Sequence, residues 1–365
     1  MKTKFTELVV YAAAFAACAN AEAQNNVAIY GIIDTGILYT TNVNANGDSL
    51  VKMPSLTGTF PSRLGFRGTE DLGGGNLAVF VLEEGFGPDT GATGQGGRLF
   101  GRQAYVGIKG RWGQLSVGRQ YTMTYIATQK TDVLGPNILS MSSLDSYLPN
   151  ARSDNTIAYW GAFDGINVGA TYSLGRDVSN AGGPAATNCP GELSRDAKAC
   201  RQVSFLLGYD SGGYGVNATY DRMRGGPGAA GGLGTSDATD RRLTANGYYM
   251  FGDVKFGLGF IDRRMDNGRS VQARSDLYYL GVSVPLTPAL ILDTQVSQLA
   301  VKASPNDARL TVARLTYLVS KRTALYASLG YISNAGQSAI AIDTGGTAGV
   351  GKNQVGLMTG IRHTF

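Results

Sequence analysis

From Val27 onward the chain alternates. Val27, Ile29, Gly31 and Ile33 fall on one side of an extended strand, and Ala28, Tyr30, Ile32 and Asp34 on the other. The same period of 2 returns at 63–69, where Leu64 and Phe66 oppose Arg63, Arg67 and Thr69, and again over 166–174, 214–221 and 254–260. Each run carries one apolar face and one small or polar face, the signature of a half-buried antiparallel strand. No helical period, linker or shift of composition interrupts the series, so the pattern predicts one large all-β domain.

The connections say what kind. Short turns such as 111–113, 212–213, 252–253, 287–288 and 320–322 alternate with polar loops near 43–59, 88–97, 122–152, 176–200, 224–238, 265–274, 303–308 and 335–349. Short turns at one end and long loops at the other are the asymmetry of a transmembrane β-barrel, and this many long loops implies about sixteen strands around an aqueous lumen. A soluble β-sandwich would alternate as well, but has no reason to sort its loops by length. The final run, Gln354 to Phe365, stops in mid-strand, and closing it against the first strand removes the open edge.

One connection departs from the rest. Between Arg119 and Arg152 neither a strand nor a helix period holds, yet Tyr125, Ile126, Val133, Leu134, Ile138, Leu139, Leu144 and Leu148 are spread through it. So long a segment inside a compact fold is usually functional. We expect this third long loop, about 122–152, to fold into the lumen and narrow it.

Composition adds the compartment. Only 16% of the 365 residues are charged, while Gly (52) and Tyr (19) are abundant and the net charge is +5. No dense basic patch interleaved with aromatics points to nucleic acid. Lys2 and Lys4, the apolar run Leu8–Ala19 and Ala21-Glu22-Ala23 read as a signal peptide over 1–23, leaving 24–365 as the barrel. Cys189 and Cys200 then remain as an even pair in an exported chain, expected to form a disulfide, with two free thiols as the alternative. No second ligand pair suggests a metal and no cofactor is implied. His363, the sole histidine, leaves a serine–histidine hydrolase without its constellation, so no enzyme is expected. Arg222, Arg224, Arg241 and Arg242 border loop ends, either as solvated charges or as contacts to lipopolysaccharide phosphates.

Taken together, Arg63-Leu64-Gly65-Phe66-Arg67-Gly68-Thr69-Glu70-Asp71-Leu72-Gly73, Gly101-Arg102-Gln103-Ala104-Tyr105-Val106-Gly107, Gly118-Arg119-Gln120-Tyr121, Leu318-Val319-Ser320-Lys321-Arg322-Thr323 and the closing Gly360-Ile361-Arg362-His363-Thr364-Phe365 resemble the Gram-negative general porins of the β-proteobacterial branch. The resemblance implies a sixteen-stranded outer-membrane barrel, a homotrimer, passive diffusion of small hydrophilic solutes and a third extracellular loop folded into the pore. It also implies that Phe365 is the signal read by the outer-membrane assembly machinery. By motif, Arg63, Arg119 and Arg152 match the family's basic wall, which faces acidic groups on the loop. Parity places Arg63 and Arg152 inward on its own. Arg119 shares parity with Leu115 and Val117, so turning it inward needs a bulge or an early strand end.

The loop contributes Asp132 and Asp145, offset by Lys130, and no extended acidic motif; Asp34 and Arg67 are expected to line the pore further along. Guanidinium groups keep their charge at any relevant pH, and several on one wall focus the field on a passing ion. The expectation is a general diffusion channel with a preference for anions. The alternatives are a substrate-specific channel for a small anion and, less well supported, a secreted β-sandwich adhesin.

Overall fold

The computed structural model describes residues 26–177, 188–267 and 273–365. The expected signal segment, residues 1–23, lies outside the described residues. The strands are β1 (Asn26–Thr40), β2 (Leu50–Lys52), β3 (Arg63–Gly73), β4 (Asn76–Gly85), β5 (Gln103–Gly110), β6 (Gly113–Tyr121), β7 (Arg152–Phe163), β8 (Ile166–Ser173), β9 (Gln202–Asp210), β10 (Tyr214–Arg224), β11 (Thr239–Phe251), β12 (Val254–Asp266), β13 (Ala273–Thr287), β14 (Leu290–Val301), β15 (Ala308–Leu318), β16 (Thr323–Asn334) and β17 (Gln354–Thr364). All pairings are antiparallel between neighbours in the chain. The last closes the cylinder: Ile32–Thr40 of β1 pairs with Gly356–Thr364 of β17, while Asn26–Ile32 pairs with β3. Setting aside the short β2, which only extends a loop against the end of β1, sixteen strands make a closed barrel.

The outer face is greasy. Leu207, Val216, Leu280 and Ile29 are each more than half exposed, and their strand neighbours Gly208, Gly215, Tyr279 and Tyr30 turn inward. Such a belt is stable only against lipid, with tyrosine and phenylalanine (Tyr172, Tyr209, Tyr214, Phe251, Tyr317) exposed near the strand ends. Long connections gather at one rim and tight ones, such as 74–75, 164–165 and 252–253, at the other.

Residues 122–151, between β6 and β7, run inside the barrel. They contain the short helix Met123–Thr128 and two single 3-10 turns at Met141–Ser143 and Leu148–Asn150. Leu134, Ile138, Leu139, Met141, Leu144 and Leu148 pack on inward-pointing Leu38, Ile261, Leu277, Leu310, Ile332 and Met358. Each such side chain removed from water contributes about 1.5–3 kcal/mol, which holds a segment without ladder hydrogen bonds in one place. The wall beneath has been cleared for it. An added Cβ at Gly257 would collide with the Thr131 carbonyl oxygen, and one at Gly281 with the Val133 side chain. Gly257→Ala is therefore expected to push the segment toward the bore and reduce single-channel conductance with the barrel intact; unchanged conductance would show that the loop can yield.

Candidate pore constriction

The site starts at the mouth of β6. Tyr121 ends the strand and Tyr125 lies in the first turn of the helix, four residues on, which stacks their rings at 3.8 Å with only 6° between planes. Three arginines from three elements converge on this pair. Arg102, just before β5, is buried; its Nη2 donates to the Tyr121 hydroxyl at 2.6 Å and its Nε to Glu83 Oε1 at 2.7 Å. Arg152, the first residue of β7, lies 4.8 Å from the centre of the Tyr121 ring and donates to the Tyr121 hydroxyl at 3.3 Å and to Asn150 Oδ1 at 3.2 Å. Arg63 of β3 stands 4.0 Å from Glu83 Oε2. Glu83 also accepts from Tyr30 at 2.9 Å. Among the described residues it is the one carboxylate in contact with this cluster, so three cations are set against one anion.

Arg63 faces a cavity of about 440 Å³ whose other walls include Phe60, Tyr125, Gln129, Asp132 and Lys255. The opposing surface thus comes from the infolded segment and from β12. Cations stand on both sides of this space, and among the described residues Asp132 is the only acid that lines it. Burial pushes the Asp132 carboxyl above its ordinary range, against hydrogen bonds from Gln295 and from backbone amides that act the other way.

The remaining expected residues go elsewhere. Asp145 does not face the arginine cluster. It is buried in a two-pronged bond with Arg242 of β11, Nε to Oδ2 at 2.8 Å and Nη2 to Oδ1 at 3.0 Å, on a different stretch of wall. Burial alone would raise its carboxyl; the Arg242 guanidinium outweighs this and holds it at about 2. Arg242 also touches the Tyr147 ring at 4.3 Å, and Arg176 meets that ring at 4.9 Å. Lys130 leans down to Asp210 at 2.5 Å, at the short-turn end of β9. Arg314 of β15 donates to the Leu134 carbonyl at 2.8 Å while paired with Asp293 at 2.9 Å, a second bolt on the same segment.

Three corrections follow. Arg119 is outside the cluster: the β6–β7 register slips between Gly118 and Gln120, and Arg119 remains paired with outward-facing Ala104 of β5. Its guanidinium is held by Asp154 at 2.5 Å and by the Gly101 carbonyl at 2.7 Å. Arg102 takes the place expected for it. Asp34 faces inward but is fully buried, because residues 57–62 fold over it. Its carboxylate accepts from the Thr59 and Phe60 amides, the Thr59 hydroxyl and the Tyr326 hydroxyl, so it clamps the first loop and meets no lumen water. Arg242, grouped by sequence with loop-end charges, points inward. Arg67 is exposed above the Tyr30 ring. Cys189 and Cys200 are joined by a disulfide, and the Cys189 carbonyl accepts from the amides of Arg176 and Asp177.

Arg102 and Glu83 were the residues missed. Glu83 had a signal: a carboxylate on the inward parity of its strand, directly after the apolar run 77–82, demands a partner. Arg102 had none, since it precedes its strand and follows no parity.

Comparison with known proteins agrees with this architecture. The family model for Gram-negative porins matches residues 9–337. The chain is 31% identical to outer membrane porin protein 32 of Delftia acidovorans over the whole of both chains. It is 32% identical to an outer membrane porin of Bordetella pertussis, over 94% of this chain and 96% of that one. Among solved structures, the anion-selective porin from Comamonas acidovorans superposes with a TM-score of 0.76 at 25% identity, covering 94% of this chain and all of the other. A closed sixteen-stranded barrel, greasy outside and matched along nearly its full length, belongs to the Gram-negative porin family: it is a multi-pass channel of the outer membrane through which small hydrophilic solutes diffuse, and not an enzyme.

Proposed function

We propose that the space between Arg63 and the 122–151 segment is the pore constriction, and that it favours anions. The observation that carries this is the imbalance of fixed charge: Arg63, Arg102 and Arg152 against Glu83, with Lys255 across the cavity and Asp145 drawn away to Arg242. A unit charge acts on an ion about 4 Å away with about 1 kcal/mol even at the dielectric of water, so a small excess is felt. The relative from Comamonas is described as anion-selective, which supports the same sign. Zero-current potentials in a salt gradient test it: the sign should report chloride crossing faster than potassium, and a cation-favouring sign overturns the proposal. Because burial raises the Asp132 carboxyl above the ordinary range, lowering the pH should neutralise it before the solvent-exposed acids and strengthen the anion preference. A preference that weakens on acidification would remove Asp132 from the ion path.

The same proposal takes the working unit to be a homotrimer. Alternation along β4 turns Glu84, the partner of outward Leu64, to the outer face beside the β1–β3 seam. A carboxylate there is better covered by protein than by lipid. Phe365, 42% exposed on that outer face next to Gly31, is assigned to recognition by the assembly machinery. Cross-linking in detergent should trap three chains and no larger species; a monomer only would reject the trimer.

A further inference from the structure

The space beside Arg63 has two kinds of wall. Arg63 and Lys255 supply positive charge. Phe60, Val133 and Pro136 supply a half-buried apolar shelf open to the same cavity. The shelf is held in place from several directions. The Phe60 amide donates to buried Asp34 at 3.2 Å, and the Phe60 carbonyl accepts from the Thr57 hydroxyl at 2.8 Å. The Phe60 ring lies against Gly135, where an added Cβ would come within 3.2 Å of it. Arg314 ties the two halves together: its guanidinium donates to the Gly58 carbonyl at 3.4 Å, the Leu134 carbonyl at 2.8 Å and the Val133 carbonyl at 3.4 Å. Arg362 stands 5.9 Å from the centre of the Phe60 ring. Ring and proline are therefore fixed before any solute arrives, which lowers the entropic cost of contact.

Charge complementarity orders the occupant. A carboxylate is drawn to Arg63, whose planar fork matches its two oxygens, and is repelled by Asp132 on the segment side. The body of the solute then falls on the shelf. A chloride ion uses the charge and leaves the shelf unused. A planar ring uses both: it stacks offset or edge-on against Phe60, and its face attracts a second cation. Lys255 can serve as that cation, since it meets the Tyr248 ring at 5.5 Å and, among the described residues, enters no salt bridge. About 150 Å³ suffices to hold a benzene ring, and the cavity measures about 440 Å³, so a ring can lodge there and still move on.

We propose that this space is a transit site for aromatic monocarboxylates, with the carboxylate on Arg63 and the ring on Phe60 and Pro136. The inference rests on the reading of the space as the pore constriction and narrows it to one class of solute. The shelf gives such a solute a contact that a small hydrophilic anion cannot use, so the aromatic acid dwells longer at the same charge.

The test measures block of the chloride current through the full-length channel in a planar bilayer at neutral pH. Four probes separate the contributions: benzoate, cyclohexanecarboxylate with the same charge and a saturated ring, acetate with the charge alone, and succinate with a second charge and no ring. Benzoate is expected to block saturably, at a concentration about tenfold below that of the next best probe. In Phe60→Leu, benzoate and cyclohexanecarboxylate should block alike, because the ring contact is gone while an apolar side chain remains. Equal block by those two probes in the unaltered channel, stronger block by succinate, or an undiminished benzoate advantage in Phe60→Leu would each overturn the proposal. If the salt-gradient potential still favours chloride when one of these results appears, the aromatic site fails and the constriction stands; a cation-favouring potential removes both. Should the variant fail to assemble, the four probes on the unaltered channel still decide.

Discussion

Replacing Arg63 by glutamate is expected to reverse or abolish the anion preference, with the chloride-to-potassium permeability ratio falling on the order of tenfold or more. Arg63 is the one member of the cluster that faces the open cavity, while Arg102 and Arg152 are buried beneath it. The exchange alters the local charge by two units and sets a second carboxylate beside Glu83, which stands 4.0 Å from the Arg63 guanidinium. A glutamine at the same position should give an intermediate ratio, since it removes charge without adding the opposite sign. Zero-current potentials of both variants decide the matter. If both keep the ratio of the parent channel, the ions do not pass Arg63.

The second large effect concerns the bolt rather than the bore. Arg242→Ala leaves the Asp145 carboxylate buried without its guanidinium, and removing one partner of a buried pair typically costs about 3–5 kcal/mol. The 122–151 segment has no sheet hydrogen bonds to fall back on, so the loss should appear as movement of that segment: frequent closures and extra conductance levels in single-channel records. Acid should act on the same contact in the unaltered channel. The Asp145 carboxyl is depressed in the folded protein to about 2 from an ordinary value near 3.8. Its stabilisation is therefore complete above about pH 4 and disappears as the pH falls through about 2. Flicker that rises on acidification over that interval, and is present at neutral pH in Arg242→Ala, ties both to one ion pair. Quiet records from Arg242→Ala would show that the apolar anchor of Leu134, Ile138 and Leu139 holds the segment alone.

The barrel was legible because its two signals are local. Alternation marks each strand, and the length of each connection marks its rim; neither needs knowledge of a distant residue. The expectation of an inward path for 122–151 has a related reason, since its scattered leucines and isoleucines require a surface and the strands' outer faces are taken by lipid. The site was harder to read. Arg119 and Arg102 sit in similar motifs, and only the one-residue slip after Gly118, where the backbone adopts φ +126, separates the β7 register from the β5 register. Asp145 meets Arg242 across 97 positions of sequence, and no periodicity links them. Asp34 has the parity of a pore-lining residue, but residues 57–62 fold back and seal it.

The account rests on the 122–151 segment standing in the ion path. Gln129 is exposed and lines the same cavity as Arg63, and the described cysteines, Cys189 and Cys200, are tied up in a disulfide. A Gln129→Cys channel in a planar bilayer, treated with a bulky anionic thiol reagent, should lose current in discrete steps and react faster than with a cationic reagent of the same size. Full labelling of that cysteine with conductance unchanged would contradict the account.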